Sequence, residues 1–192
     1  MTALTREQVL GAVVAGGGLV AATTLLDDVA ESAPSAAQDV TIFNFVLQIE
    51  DLQAAFYAEV LRQGHVTDEA RQYARIVGAH EREHAAFLRK ALGSKARRAP
   101  RYDFGAAAGD PGRFLITARE LEDLGLRAYN AGAPNLTPDS LAAAARITSV
   151  EARHAGWIRD IAGLDPAPDA SEPTRTPAQV ATAIRDTGFV KG

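Results

Sequence analysis

HEREHAAFLRKALG, residues 80–93, and VEARHAGW, residues 150–157, decide the fold of this chain. Each carries a Glu, two intervening residues, a His and an Ala: Glu81, His84 and Ala85 in the first, Glu151, His154 and Ala155 in the second. Two further stretches, IEDLQAAFY (49–57) and RELEDLGLRAY (119–129), read Glu-Asp-Leu with a Tyr seven places after the Glu. The copies are offset by 72 residues for Glu50 and Glu122, and by 70 for Glu81 and Glu151. One half of the chain is therefore a diverged copy of the other, which predicts approximate two-fold symmetry with the special residues facing a common centre.

Positions three, four and seven apart share one face of a helix. Glu50 falls on a face with Phe43, Val46, Leu47, Ala54 and Tyr57, and Glu81 with Ala74, Val77, Ala85 and Leu88. Glu122 falls with Leu115, Ala118, Leu126 and Tyr129, and Glu151 with Ala144, Ile147, Ala155 and Ile158. All four carboxylates thus sit on apolar stripes. A carboxylate buried without a partner costs several kcal/mol or is forced neutral. A divalent metal reverses that logic, because it becomes the largest local charge. Glu and His at i and i+3 lie about 4.5 Å apart along the axis, so both can reach one ion. Given four His and 11 Glu in the chain, roughly a quarter of one Glu-x-x-His match is expected by chance. Two matches, each preceded by an apolar-face Glu, are far more specific. The candidate metal ligands are Glu50, Glu81, His84, Glu122, Glu151 and His154. His80, one turn before His84, fits the repeat less well, and Glu59, Glu83 and Glu120 lack the face support.

Start and stop signals outline four helices. The first runs from about Asp39, as cap, to Arg62 before Gly64; the second from the Thr67 cap to Leu92 before Gly93. The third has Asp110 as cap and Pro111 at its first position and runs to about Asn130; the fourth runs from Pro138, after Thr137, to about Ala162. Short links join helices one to two and three to four, while Gly93 to Asp110 is long. The expectation is an all-α four-helix bundle of two antiparallel hairpins joined by a long crossover. It occupies residues 38–164, followed by a Pro-rich tail, 165–192, with a short helix over about 177–187.

The chain has 192 residues, a net charge of −4 and no cysteine. Disulfides, thiolate metal sites and cysteine nucleophiles are excluded, so any metal is held by His and carboxylate. Nucleic acid is not an expected partner: the short basic run Lys95, Arg97, Arg98 and Arg101 reads as a solvated loop. Residues 9–26, VLGAVVAGGGLVAATTLL, are uncharged, follow Arg6 and precede Asp27, Asp28 and the small residues Ser35, Ala36 and Ala37. That pattern reads residues 1–37 as a signal peptide or an anchor-like segment and points to export, to the cell envelope or outside, with membrane association through this segment. An extra helix on a cytoplasmic domain is the competing reading. TREQVL (5–10) resembles a twin-arginine export signal with Glu7 in place of the second Arg.

The four quoted segments together resemble the ferritin-like superfamily, and more narrowly the ferritin-like domain proteins related to plant desiccation-related proteins. The resemblance implies a ferritin-like four-helix bundle with two metal ions, iron ahead of manganese, zinc also being compatible with the donors. Dioxygen or peroxide are the partners it implies, with iron oxidation or peroxide reduction as the protective redox reaction of a di-iron oxidoreductase, and a homo-oligomer is compatible with it. Glu50 and Glu122 become terminal or bridging ligands, and the two Glu-x-x-His pairs anchor the ions. Tyr57 and Tyr129 read first as core aromatics with the hydroxyl bonded to a neighbour, and alternatively as hydrogen-bond partners of a ligand. Asp51 and Asp123 read either as partners of the second nitrogen of a ligand His or as solvated acids beside a ligand. The alternative is a non-catalytic exported stress or envelope protein with a structural or vestigial metal site. An iron-storage shell is disfavoured by the export segment and the Pro-rich tail.

Overall fold

The computed structural model describes residues 33–173 and 175–191. Four long helices form the bundle: α1 (Ala36–Gln63), α2 (Asp68–Leu92), α4 (Pro111–Gly132) and α5 (Pro138–Ile161). Helices α1 and α2 pack as one hairpin and α4 and α5 as the other, with α1 against α4 and α2 against α5 across the centre. The all-α bundle of two antiparallel hairpins expected from the helix signals and link lengths is the one observed. The export segment expected at residues 1–37 lies outside the described residues except for 33–37. Among the described residues, no helix is long and apolar enough to cross a membrane.

The helix signals act much as their chemistry dictates. Gly64 ends α1 in the left-handed conformation, φ 73°, and its N–H donates to the Val60 carbonyl. Asp110 accepts from the Arg113 N–H at 2.8 Å, with Pro111 as the first helical residue. The first helix differs from expectation. It starts at Ala36, capped by Ser35, and Asp39 is free for a longer-range task. The Asp39 carboxylate accepts from the N–H and hydroxyl of Thr137 and from the hydroxyl of Ser140, at 2.9, 2.5 and 2.7 Å. It thereby caps α5, where Thr137 makes no cap bond of its own. Burial alone would raise the Asp39 pKa, but these hydrogen bonds outweigh it and hold the carboxyl below its usual range.

Helix α1 is apolar on nearly every side because nearly every side is covered. Phe43, Phe45, Val46, Leu47, Ile49, Leu52, Phe56 and Val60 are all buried. Gly78 lets α2 approach α1 closely: a Cβ there would lie 2.7 Å from the Tyr57 Cβ.

The crossover is more ordered than a loop. It contains β1 (Arg101–Tyr102) and a single-turn helix α3 (Ala106–Gly109). The tail returns along it, with α6 (Pro177–Asp186) on α4 and β2 (Val190–Lys191) pairing antiparallel with β1, Arg101 opposite Lys191 and Tyr102 opposite Val190. Val180, Ala181 and Ile184 of α6 join the main core. Thr176 and Gln179 start α6 with a reciprocal capping box.

Candidate metal centre

Each long helix sends one Glu into the middle of the bundle: Glu50 from α1, Glu81 from α2, Glu122 from α4 and Glu151 from α5. Their solvent exposures are 1, 0, 0 and 0 % respectively, with His154 at 3 % and His84 at 9 %. Nδ1 of His84 lies 3.4 Å from Glu50 Oε2, 3.2 Å from Glu81 Oε2 and 3.0 Å from Glu151 Oε1. Nδ1 of His154 lies 2.9 Å from Glu81 Oε1, 3.3 Å from Glu122 Oε2 and 3.8 Å from Glu151 Oε1. All six residues singled out from the repeat therefore meet at one place. They form two overlapping groups, Glu50/Glu81/His84/Glu151 and Glu81/Glu122/Glu151/His154, with the donor atoms of each group within 4.8 Å of one another.

The overlap sharpens the expected half-sites. Each repeat keeps its own Glu, Glu and His together, and each borrows one Glu from the other repeat. Glu81 turns Oε2 to His84 and Oε1 to His154, and Glu151 Oε1 faces both. Glu81 and Glu151 belong to both groups, and Glu50 and Glu122 to one each.

Half of the twelve buried side-chain N and O atoms that lack a hydrogen-bond partner among the described residues belong to this cluster. They are Glu50 Oε2, Glu81 Oε1, Glu122 Oε2, both oxygens of Glu151 and His154 Nδ1. Several lie close to an imidazole nitrogen, yet none of the six is aligned for a hydrogen bond. Orphaned buried donors and acceptors are costly unless another group completes them. Without a cation the cluster has to hold protons. Burial and then the charge of Glu81 raise Glu50 to about 8, and burial and then Glu50 raise Glu151 to about 8. Burial works against charging His84, but Glu151, Glu50 and Glu81 overcome it and raise the imidazole to about 12. His154 rises to about 10 by the same contest, with Glu122 and Glu81 prevailing over burial. Two divalent cations would match four carboxylates in charge and satisfy the orphaned atoms, so this donor set fits a metal pair.

The sequence description of a ferritin-like domain matches residues 38–164. The chain belongs to the ferritin-like domain family. No curated protein matches it.

Around the ferritin-like centre the two-fold symmetry continues. The Tyr57 hydroxyl donates to Glu122 Oε1 and the Tyr129 hydroxyl to Glu50 Oε1, both at 2.5 Å. Each tyrosine thus serves the unshared carboxylate of the other repeat, taking Oε1 and leaving Oε2 turned to the centre. Burial, reinforced by Glu122 for Tyr57 and by Glu50 for Tyr129, pushes both phenols well above their usual range, so both stay donors.

Asp51 and Asp123 do not hold a ligand imidazole, contrary to the first of their two readings. Asp51 accepts from Arg89 through both oxygens at 2.7 Å, and Asp123 pairs with Arg159 and, at 3.5 Å, with Arg127. An Asp next to the Glu is turned about 100° around the helix, toward the neighbouring helix and away from the centre. Arg89 and Arg159 follow Glu81 and Glu151 by eight residues each, so the pair belongs to the repeat as well.

Three residues at the centre break the repeat: His80, weighed in the sequence as a weaker candidate, and Gln53 and Gly125, which carried no signal there. Nδ1 of His80 lies 2.9 Å from Nε2 of His154, with the rings stacked at 5.1 Å. Gln53 Nε2 donates to Glu122 Oε1 at 3.1 Å. Gly125, the counterpart of Gln53, leaves room for that amide, since a Cβ there would lie 2.8 Å from Glu151 Oε2 and 3.1 Å from Gln53 Nε2. Trp157 packs edge-on against Tyr73 and donates to Glu69 at 3.0 Å. Tyr73 in turn donates to the His154 carbonyl at 3.2 Å.

Proposed function

We propose that this ferritin-like protein holds two iron or manganese ions between α1, α2, α4 and α5, and that it uses them in protective redox chemistry, oxidising ferrous iron or reducing peroxide. The observation that carries this reading is the convergence of four carboxylates and two imidazoles, almost wholly buried, with six of their atoms unpartnered. The donors are oxygen and imidazole nitrogen without thiolate, which suits iron, manganese or zinc. When bound, iron or manganese supplies the capacity to exchange electrons with dioxygen or peroxide.

The chain's own residues prepare the place. Glu81 and Glu151 present oxygens to both positions, and Glu50 and Glu122 close the two ends. Tyr129 and Tyr57 fix those end carboxylates by one oxygen each. The Asp51–Arg89 and Asp123–Arg159 pairs tie α1 to α2 and α4 to α5 beside the ligands. Burial keeps bulk water from the carboxylates, and imidazoles supply neutral donors once a cation replaces their protons. The apolar segment at 9–26 supports export or membrane attachment of the same domain.

Glu81→Ala combined with His84→Ala tests the assignment. Metal content is expected to fall away while helical circular dichroism is largely retained; full metal content in the double variant refutes the ligand set. Peroxide consumption or ferrous oxidation by the loaded wild-type protein supports the redox reading. Tight, inert zinc refutes it in favour of a structural site.

A further inference from the structure

We infer that the two metal positions are unequal: the His154 position binds first and firmly, and the His84 position binds second and is the one that exogenous ligands reach. The inference builds on the two-metal reading above. Its basis is where the two repeats differ.

At the His154 end, the ligand nitrogen Nδ1 faces Glu81 and Glu122, and Nε2 is held by His80 at 2.9 Å. With Nδ1 turned to a metal, Nε2 carries the proton and donates to His80 Nδ1. That bond fixes both the tautomer and the ring plane. The terminal carboxylate there, Glu122, accepts from two donors, Tyr57 and Gln53. The backbone carbonyl of His154 accepts from Tyr73. At the His84 end the counterparts are absent. Val150 stands where His80 would be repeated and Gly125 where Gln53 would be. Glu50 Oε1 accepts only from Tyr129, and no hydrogen bond reaches the second nitrogen of His84 among the described residues. A firmer set of outer partners raises metal affinity, typically by 10–100-fold for one such contact.

Exposure divides the ends in the same way. His84 forms part of a cleft of about 400 Å³ between α2 and α5, lined also by Glu83, Phe87, Ala143, Arg146 and Ile147. His154 is the more enclosed of the two, 3 % exposed against 9 % for His84. Phe87, Ala143 and Ile147 give the cleft an apolar wall, which suits small, weakly hydrated molecules better than a hydrated cation. His80 and Gln53 are thus positioning residues for one position, and the cleft serves the other.

Calorimetric titration of the metal-free full chain with cobalt(II), with azide as a small exogenous probe, tests this. The wild type is expected to bind two ions in steps at least tenfold apart in affinity. Azide is expected to perturb the cobalt absorption only after the second step. His80→Ala should weaken the first step by 10–100-fold and leave the second nearly unchanged. His80→Asn, which keeps an acceptor oxygen, should recover most of that loss. Ala143→Phe, filling the cleft, should abolish the azide response and keep both cobalt steps. Two equal sites, an effect of His80→Ala on the second step alone, or azide binding that survives Ala143→Phe overturns the inference. A wild type that binds no cobalt overturns the two-metal reading itself, whereas two ions of equal affinity overturn only the inequality.

Discussion

Gly125→Ala should disable the metal centre while leaving the bundle folded. The new Cβ would lie 2.8 Å from Glu151 Oε2, 3.1 Å from Gln53 Nε2 and 3.3 Å from Gln53 Oε1. Glu151 has to retreat by about half an ångström to restore ordinary van der Waals contact, and metal–ligand distances tolerate only about 0.2 Å. Because Glu151 serves both groups, both ions suffer, and affinity is expected to drop by about tenfold or more. The effect on folding is smaller. Ala in place of Gly favours the helix by about 1 kcal/mol, and overpacking costs about 1–3 kcal/mol. The net loss is about 0–2 kcal/mol, a shift of several degrees at most in a domain of this size. Gly132→Ala is the control: its Cβ would lie 2.6 Å from Ile42 Cγ2, in the same helix and away from the ligands. It should lower the melting temperature at least as much and keep its metal. Competition with a chelating indicator gives the affinities, and circular dichroism at 222 nm the melting curves. Wild-type affinity in Gly125→Ala would show that the Glu151 carboxylate, as placed here, binds no metal.

Tyr129→Phe should weaken metal binding more than Tyr57→Phe, because Glu122 keeps Gln53 when Tyr57 is lost and Glu50 keeps no equivalent donor; equal effects in the chelator competition would refute this. Arg159→Ala should cost about 2 kcal/mol in urea unfolding, since it removes a nearly buried guanidinium and leaves Asp123 only the longer 3.5 Å contact to Arg127. Arg89→Ala should cost about 1 kcal/mol, because its guanidinium end is far more exposed; the reverse order would contradict the burial argument. Metal-free protein should lose stability as pH rises from about 5 to 10. Glu50 and Glu151 have folded values raised to about 8 and His84 and His154 to about 12 and 10, so the folded state holds more protons than the unfolded chain across that window. Metal should flatten the dependence by replacing those protons; a metal-free melting temperature that rises with pH would refute it.

The convergence of Glu50, Glu81, His84, Glu122, Glu151 and His154 was legible because two independent sequence features agree on them: apolar helical faces that each contain one acid, and a repeat that doubles every position. That the Tyr57 and Tyr129 hydroxyls bond a neighbour was legible, but their exchange between repeats was not, since a helical face does not say which opposing helix it meets. Asp51 and Asp123 were misjudged because adjacency to a ligand in sequence was read as adjacency in space. One residue further along a helix is about 100° around it, which brings them to Arg89 and Arg159. Gln53 and Gly125 carry no signal in the sequence, and His80 ranks low there, for the opposite reason: the repeat marks what is doubled, and these residues are where it fails. The β1–β2 pairing joins strands of two residues each, too short for an alternating pattern. The start of α1 was misplaced because Asp39 looks like a cap locally and is one, but for α5.

The central claim is that Glu50, Glu81, His84, Glu122, Glu151 and His154 hold two metal ions in one buried site. Elemental analysis of the full chain, produced with iron and manganese both available and desalted before measurement, tests it most directly. Two ions per chain, reduced sharply in the Glu81→Ala/His84→Ala variant, is the expected result. One ion or none in a wild-type protein with its helical signal intact would contradict it.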